Sequence, residues 1–214
     1  YVSFLSAPSL MFISQIITVF WLIGFMNTIN LADGLDGLAT GIVAIASMTF
    51  FIIAVLLQPA IAKIAVASKP EKILLVRQLQ LSALISITLS GASIGFLLFN
   101  FHPARIFLGD CGAMFLGFLL ASISIIGTLK TPLVISLFIP ILIVALPVVD
   151  VLLAILRRLR VGIDVMQPDK EHIHHRLLKW GWSHREVVLA MYVITLILSV
   201  FAISITAYRL GMKL

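Results

Sequence analysis

What most constrains this chain is a series of apolar runs, each about as long as a bilayer's hydrocarbon core is thick. A core of about 30 Å is crossed by about 20 residues of α-helix. Six stretches meet that length, at residues 9–29, 38–57, 79–99, 113–129, 133–156 and 187–207. Spans of a β-barrel would alternate polar and apolar positions, and these do not. Composition agrees: 61% of the 214 residues are hydrophobic and 11% charged, too little polar surface to coat a water-soluble core. The expected fold is an all-α polytopic membrane protein with about six transmembrane helices, residues 1–214 forming a single transmembrane domain. The fifth run contains Pro140 and Pro147, so a kinked or broken helix is expected there. A single cysteine, Cys111, excludes a disulfide framework and a four-cysteine metal site. The N-terminal stretch has no basic leader and no small-residue cleavage site, so no cleaved signal peptide is expected. The opening residue, Tyr1 rather than Met, points to a fragment or a trimmed chain.

Six spans put both termini on one side and the connections at 30–37, 100–112 and 157–186 on the other. The last is the longest polar segment and carries Arg157, Arg158, Arg160, Lys170, Arg176, Lys179 and Arg185, which places this face in the cytoplasm. The full tally is close, because eight of the 15 Lys and Arg residues lie on this side. The acids and histidines are less even. Asp33, Asp36, Asp110, Asp150, Asp164, Asp169, Glu171 and Glu186 fall on or near it, as do all 5 histidines: His102, His172, His174, His175 and His184. Carboxylates beside apolar helix ends are costly unless they pair or bind something, so their convergence on one face reads as a site.

The first motif is Asn27-Thr-Ile-Asn30-Leu-Ala-Asp33-Gly-Leu-Asp36-Gly37-Leu-Ala. Each three-residue step along an ideal helix turns about 300°, so Asn27 and Asp36 would drift to opposite faces. One shared site needs a tighter or unwound helix end, which Gly34 and Gly37 permit. Two carboxylates and two carboxamides offer hard oxygen ligands for Mg²⁺, a general base, or hydrogen bonds to sugar or phosphate. Capping of the second span explains one aspartate, not the set.

The second motif is Asn100-Phe-His102-Pro103-Ala-Arg105-Ile-Phe-Leu-Gly109-Asp110-Cys-Gly112-Ala. It ends where the fourth span begins, and a helix N-terminus with exposed backbone suits phosphate. Asp110 is either an N-cap or a carboxylate ligand to an Mg²⁺ shared with a diphosphate. Arg105 is either a phosphate partner or a charge anchor. The third motif, Asp169-Lys170-Glu171-His172-Ile-His174-His175-Arg176, lacks the cysteines or the His-Glu-x-x-His spacing of a zinc site. Its imidazoles and cations suit the oxygens of a nucleoside diphosphate. Leu177, Leu178, Trp180 and Trp182 follow, as in a short helix lying at the interface within the 157–186 loop. Asp150 is read as structural, pairing with Arg157 or Arg158.

The three motifs, in this order, resemble those of the polyprenyl-phosphate N-acetylhexosamine-1-phosphate transferases, and with the span pattern the resemblance covers essentially the whole chain. The His-Ile-His-His form is more similar to the enzymes using a simple UDP-sugar than to the UDP-muramoyl-pentapeptide translocase. The resemblance implies transfer of an N-acetylhexosamine 1-phosphate, GlcNAc-1-phosphate first among them, from a UDP-sugar to undecaprenyl phosphate. UMP is released and a lipid-linked diphosphate sugar forms for cell-envelope polysaccharide such as lipopolysaccharide or teichoic acid. It implies Asp110 as Mg²⁺ ligand, with Mn²⁺ able to substitute, and Asp33 and Asp36 as essential acids. Asn27, Asn30, Asn100, Arg105, His172, His174, His175 and Arg176 would bind substrate. The implied partners are a UDP-N-acetylhexosamine, undecaprenyl phosphate and the lipid bilayer, with a homodimer allowed and no nucleic acid. The implied location is the bacterial cytoplasmic (inner) membrane, active site facing the cytoplasm. Family members have about ten helices and an Asp-Asp pair on an earlier loop. This sequence matches the last six and has no Asp-Asp, so upstream residues are expected to complete the site and these 214 residues alone to be inactive.

Two rivals give different expectations. A transporter or channel would put its acids near the bilayer midplane. A CDP-alcohol phosphotransferase would follow Asp33 with Asp-Gly-x-x-Ala-Arg, which is absent here.

Overall fold

The computed structural model describes residues 7–66, 70–128, 133–162 and 173–211. These form helices α1 (Ala7–Ala32), α2 (Leu38–Val66), α3 (Pro70–Asn100), α4 (Gly109–Thr128), α5 (Leu133–Ile143), α6 (Ala145–Val161), α7 (Ile173–Lys179) and α8 (His184–Arg209). No strand occurs among the described residues. Five helices, α1–α4 and α8, are long and apolar enough to cross a membrane. The fifth apolar run is broken as expected, into α5 and α6 at Val144. Pro147 has no N–H to offer the Ile143 carbonyl one turn back, so the ladder cannot run unbroken through that point.

Helices α2 and α3 outrun their apolar stretches. α2 passes through Pro59 to Val66, and α3 starts at Pro70. Helical geometry needs no apolar side chains once outside the hydrocarbon, so hydropathy underestimates helix length.

The hub is α2, which packs on α3, α4 and α8 while α1 lies on α4 and α6. In its membrane window α2 is 61% buried against 17% for α1, so α1 spends most of its surface on lipid or on further protein. Close approach is made by small residues, as expected where lipid supplies no hydrophobic drive. A Cβ at Gly117 of α4 would stand 2.7 Å from the Met26 Cα and the Phe25 carbonyl of α1. Hydroxyl and indole groups add interhelical bonds: Trp21 Nε1 donates to Ser124 Oγ at 2.8 Å, and Ser90 Oγ to the Ala44 carbonyl at 3.1 Å.

The main core gathers Ile29, Val43, Leu120, Ile123, Ile143 and Val144. A second cluster, Leu35, Leu38, Ile42, Val187, Val188 and Met191, lies under the turn between α1 and α2. Ile173, Leu177 and Leu178 pack onto it, so the short α7 is docked by its apolar side. The α1–α2 turn, the α3–α4 loop, α7 and the start of α8 therefore share one end of the bundle.

Candidate active site

Helix α1 carries Asn27 and Asn30 in its last turns and stops at Ala32. The chain then turns through residues 33–37, with Gly37 at φ 82°. That left-handed value suits glycine, and a Cβ there would meet Leu97 at 3.2 Å and the Phe101 Cα at 3.3 Å. The unwound end expected from Gly34 and Gly37 is thus present, and it separates the two aspartates.

Asp33 is half-buried and faces acids. Burial, then the charges of Asp110 and Asp36, push its carboxyl up to about 6. Asp110 sits in the first turn of α4, just after Gly109 at φ 66°. Its Oδ1 accepts a hydrogen bond from Asn30 Nδ2 at 3.2 Å, across 80 residues of sequence. Asn30 therefore joins the first motif to Asp110, and the carboxylates of Asp33 and Asp110 are oxygen donors of the kind a hard divalent cation takes.

Asp36 points elsewhere. Its Oδ2 lies 3.0 Å from His102 Nδ1 and accepts the Ala104 N–H at 3.2 Å. Burial acts to raise its pKa, but the bonds from His102 and Ala104 and the nearby His184 and His102 rings outweigh it, so Asp36 titrates below the usual range. His102 stacks on His184 with centroids 4.0 Å apart and planes at 15°. Arg185 Nε donates to the His102 carbonyl at 3.2 Å. Ligand atoms of Asp36, His102 and His184 lie within 4.8 Å of one another.

Asn100 is buried, and its carboxamide is engaged at both ends. Its Oδ1 accepts from the Gly37 N–H at 3.2 Å and Thr40 Oγ1 at 2.9 Å, while Nδ2 donates to the Ile106 carbonyl at 3.0 Å. It ties the second motif to the first. Arg105 is exposed, as is Asn27.

In the third motif, His172 lies outside the described residues. His174 is 2% exposed, and its Nε2 stands 2.5 Å from where a Cβ on Gly34 would be. The third motif thus reaches the first through a contact that only glycine admits. His175 lies beside His174 with centroids 4.4 Å apart, and Arg176 stands 5.8 Å over the Trp180 ring. Asp150, read from sequence as an arginine partner, accepts the Ile173 N–H at 2.8 Å, at the start of α7.

Residues 2–128 match the sequence profile described as glycosyl transferase family 4. The chain belongs to glycosyl transferase family 4. Among its relatives are a probable undecaprenyl-phosphate N-acetylglucosaminyl 1-phosphate transferase of Bacillus subtilis, 37% identical over 92% of this chain and 50% of the relative. A decaprenyl-phosphate N-acetylglucosaminephosphotransferase of Mycobacterium leprae is 39% identical over 84% of this chain and 45% of its own length. A phospho-N-acetylmuramoyl-pentapeptide-transferase of Bacillus pumilus is 33% identical over 90% and 52%. The chain spans about half the length of the curated relatives it matches.

Within this family 4 chain, sequence reasoning missed three groups. His102 was visible inside the second motif but given no role, and His184 and Arg185 carried no signal beyond lying on the polar face. Tyr192 was missed altogether: from inside α8 its hydroxyl donates to the Gly37 carbonyl at 2.5 Å. No local pattern marks such a residue, because its partner is 155 positions away.

Proposed function

We propose that the parent protein transfers N-acetylglucosamine 1-phosphate from its UDP-sugar to undecaprenyl phosphate at the cytoplasmic face of the bacterial inner membrane. The single observation that supports this reading is the hydrogen bond from Asn30 to Asp110 at the N-terminus of α4, which joins the first motif to the second. An oxygen of the acceptor phosphate attacks the β-phosphorus of the donor. The bond from that phosphorus to the bridging oxygen breaks, UMP leaves, and a prenyl diphosphate sugar remains. Such a reaction needs positioning and charge neutralisation more than covalent help from the protein.

Asp110 and Asp33 fit a hard cation, since two neighbouring carboxylates otherwise repel. When bound there, Mg²⁺, or Mn²⁺ in its place, supplies neutralisation of diphosphate charge. The α4 N-terminus offers backbone N–H groups to phosphate. Asn30 holds Asp110 in place, Asn100 fixes the loop that carries it, and Arg105 and Arg176 as cations, with the His175 ring, serve the donor's phosphates. The acceptor phosphate, with a second pKa near about 6 by analogy with phosphorylated side chains, is largely ionised at neutral pH without a base. The transport alternative is weaker, because Asp33 and Asp36 stand outside the spans and Asp110 at the first turn of one, none of them near a span's middle.

The test is Mg²⁺-dependent UMP release from UDP-N-acetylglucosamine by the detergent-purified full-length parent with undecaprenyl phosphate, beside Asp110→Asn and this 214-residue chain. Release needing both substrates, a loss of at least about 100-fold in Asp110→Asn, and silence from the shorter chain are expected. A full-length parent that binds neither nucleotide sugar nor Mg²⁺ and releases nothing would overturn the proposal.

A further inference from the structure

We propose that His102 contacts a substrate phosphate, with its ring set on one edge by Asp36 and on one face by His184. The inference rests on the transferase reading above and deepens it. His102 Nδ1 lies 3.0 Å from the Asp36 carboxylate, which sets the ring's orientation and leaves the opposite edge, with Nε2, for a ligand; with Nδ1–H given to Asp36, that edge donates an N–H in the doubly protonated ring. The same Oδ2 takes the Ala104 N–H, so carboxylate and loop backbone are held together. His184 lies flat against the imidazole at 4.0 Å and limits its rotation. Arg185 holds the His102 carbonyl at 3.2 Å, and the start of α8 that carries both residues is itself fixed by a capping box between Ser183 and Glu186.

A purely structural role explains this poorly. The His102 and Asp36 side chains are 38% and 24% exposed, and exposed ion pairs add little to stability. Two separate elements, the α1–α2 turn and the start of α8, converge on a residue whose burial contributes little to the core. A metal centre explains it poorly as well. Imidazoles stacked with planes 15° apart direct their in-plane lone pairs side by side instead of toward one tetrahedral point. What remains is an oriented imidazole edge, an N–H donor when the ring carries both protons, beside a guanidinium at the polar end of a bundle that holds Asp33 and Asp110. That donor set fits an anionic phosphate oxygen. The oxygen belongs either to the donor diphosphate or to the acceptor monophosphate.

The experiment uses the full-length parent with His102→Gln, His184→Ala and His184→Phe. KM for UDP-N-acetylglucosamine, KM for undecaprenyl phosphate and kcat are measured separately, with thermal unfolding alongside. His102→Gln is expected to raise one of the two KM values about 10- to 100-fold, the worth of one hydrogen bond to a charged group. Which KM rises tells the donor from the acceptor. His184→Ala is expected to move the same KM in the same direction by less, and His184→Phe, which keeps a flat ring, to restore most of it. An active parent whose His102→Gln variant keeps both KM values, or only melts earlier, overturns this inference and leaves the transferase reading standing. A wild-type parent without UMP release overturns both.

Discussion

Asp33 and Gly34 show how much rests on single positions. The Asp33 carboxyl titrates at about 6 in the folded chain against 3.8 for an ordinary aspartate. A group that holds its proton more tightly when folded stabilises the fold fully below the lower value and loses that contribution as pH rises through the higher one. Acidification from about pH 7 to about pH 5 should therefore raise the stability of wild type relative to Asp33→Asn, by about 1 kcal/mol once solvent screening is allowed for, read as a higher melting temperature. Parallel pH profiles of the two proteins would contradict this. At Gly34 the constraint is steric. Gly34→Ala would drive a methyl into the buried His174 ring, with an expected loss of about 1–3 kcal/mol, readable by thermal unfolding, and an accompanying fall in UMP release by the parent. Both positions were legible as motif residues. Their physical environments were not, because Asp110 and His174 approach them from elements that are remote in sequence.

At the level of elements, the pairing of α1 with α4 matters most, since it brings Asn30 to Asp110. The contact is backbone to backbone at Gly117. Gly117→Val should push the helices apart, cost about 1–3 kcal/mol, and lower activity of the parent more than stability alone explains. Retention of full Mg²⁺-dependent activity would show that the Asn30–Asp110 bond is dispensable. The glycine itself gives no such signal in sequence, because glycines are common in membrane helices for several reasons. The break in the fifth run was legible from its prolines. Its consequence was not: α6 restarts so that Asp150 meets the first N–H of α7.

For the whole molecule, broad apolar faces on α1, α3 and α8 remain open, as on α8 at Ile197, 62% exposed. They are open to lipid or to further protein, and where such a face meets lipid the depth of each residue sets the cost of a charge. Ile197→Arg, mid-way along α8, should cost about 2.5–3.5 kcal/mol of insertion free energy. Tyr208→Arg, 83% exposed near the helix end, should cost close to nothing, because its side chain can reach the interface. A glycosylation-based insertion assay on α8 reads both, and equal costs would mean that this face of α8 does not look onto lipid.

The sequence by itself determined the class of fold, since about 20 apolar residues in succession have one stable solution in a bilayer. It also marked the candidate site residues, since carboxylates, carboxamides and imidazoles at apolar helix ends stand out against surroundings that cannot tolerate them idly. Only the tertiary structure decided their partners. Asp33 and Asp36 are three positions apart, yet one turns toward Asp110 and the other toward His102, 66 residues on. That choice comes from how α1 seats on α4 and α2 on α3 and α8. Seating depends on close approach at Gly117 and Gly37 and on hydrogen bonds between helices, and spacing along one chain does not encode the distance between two of its turns.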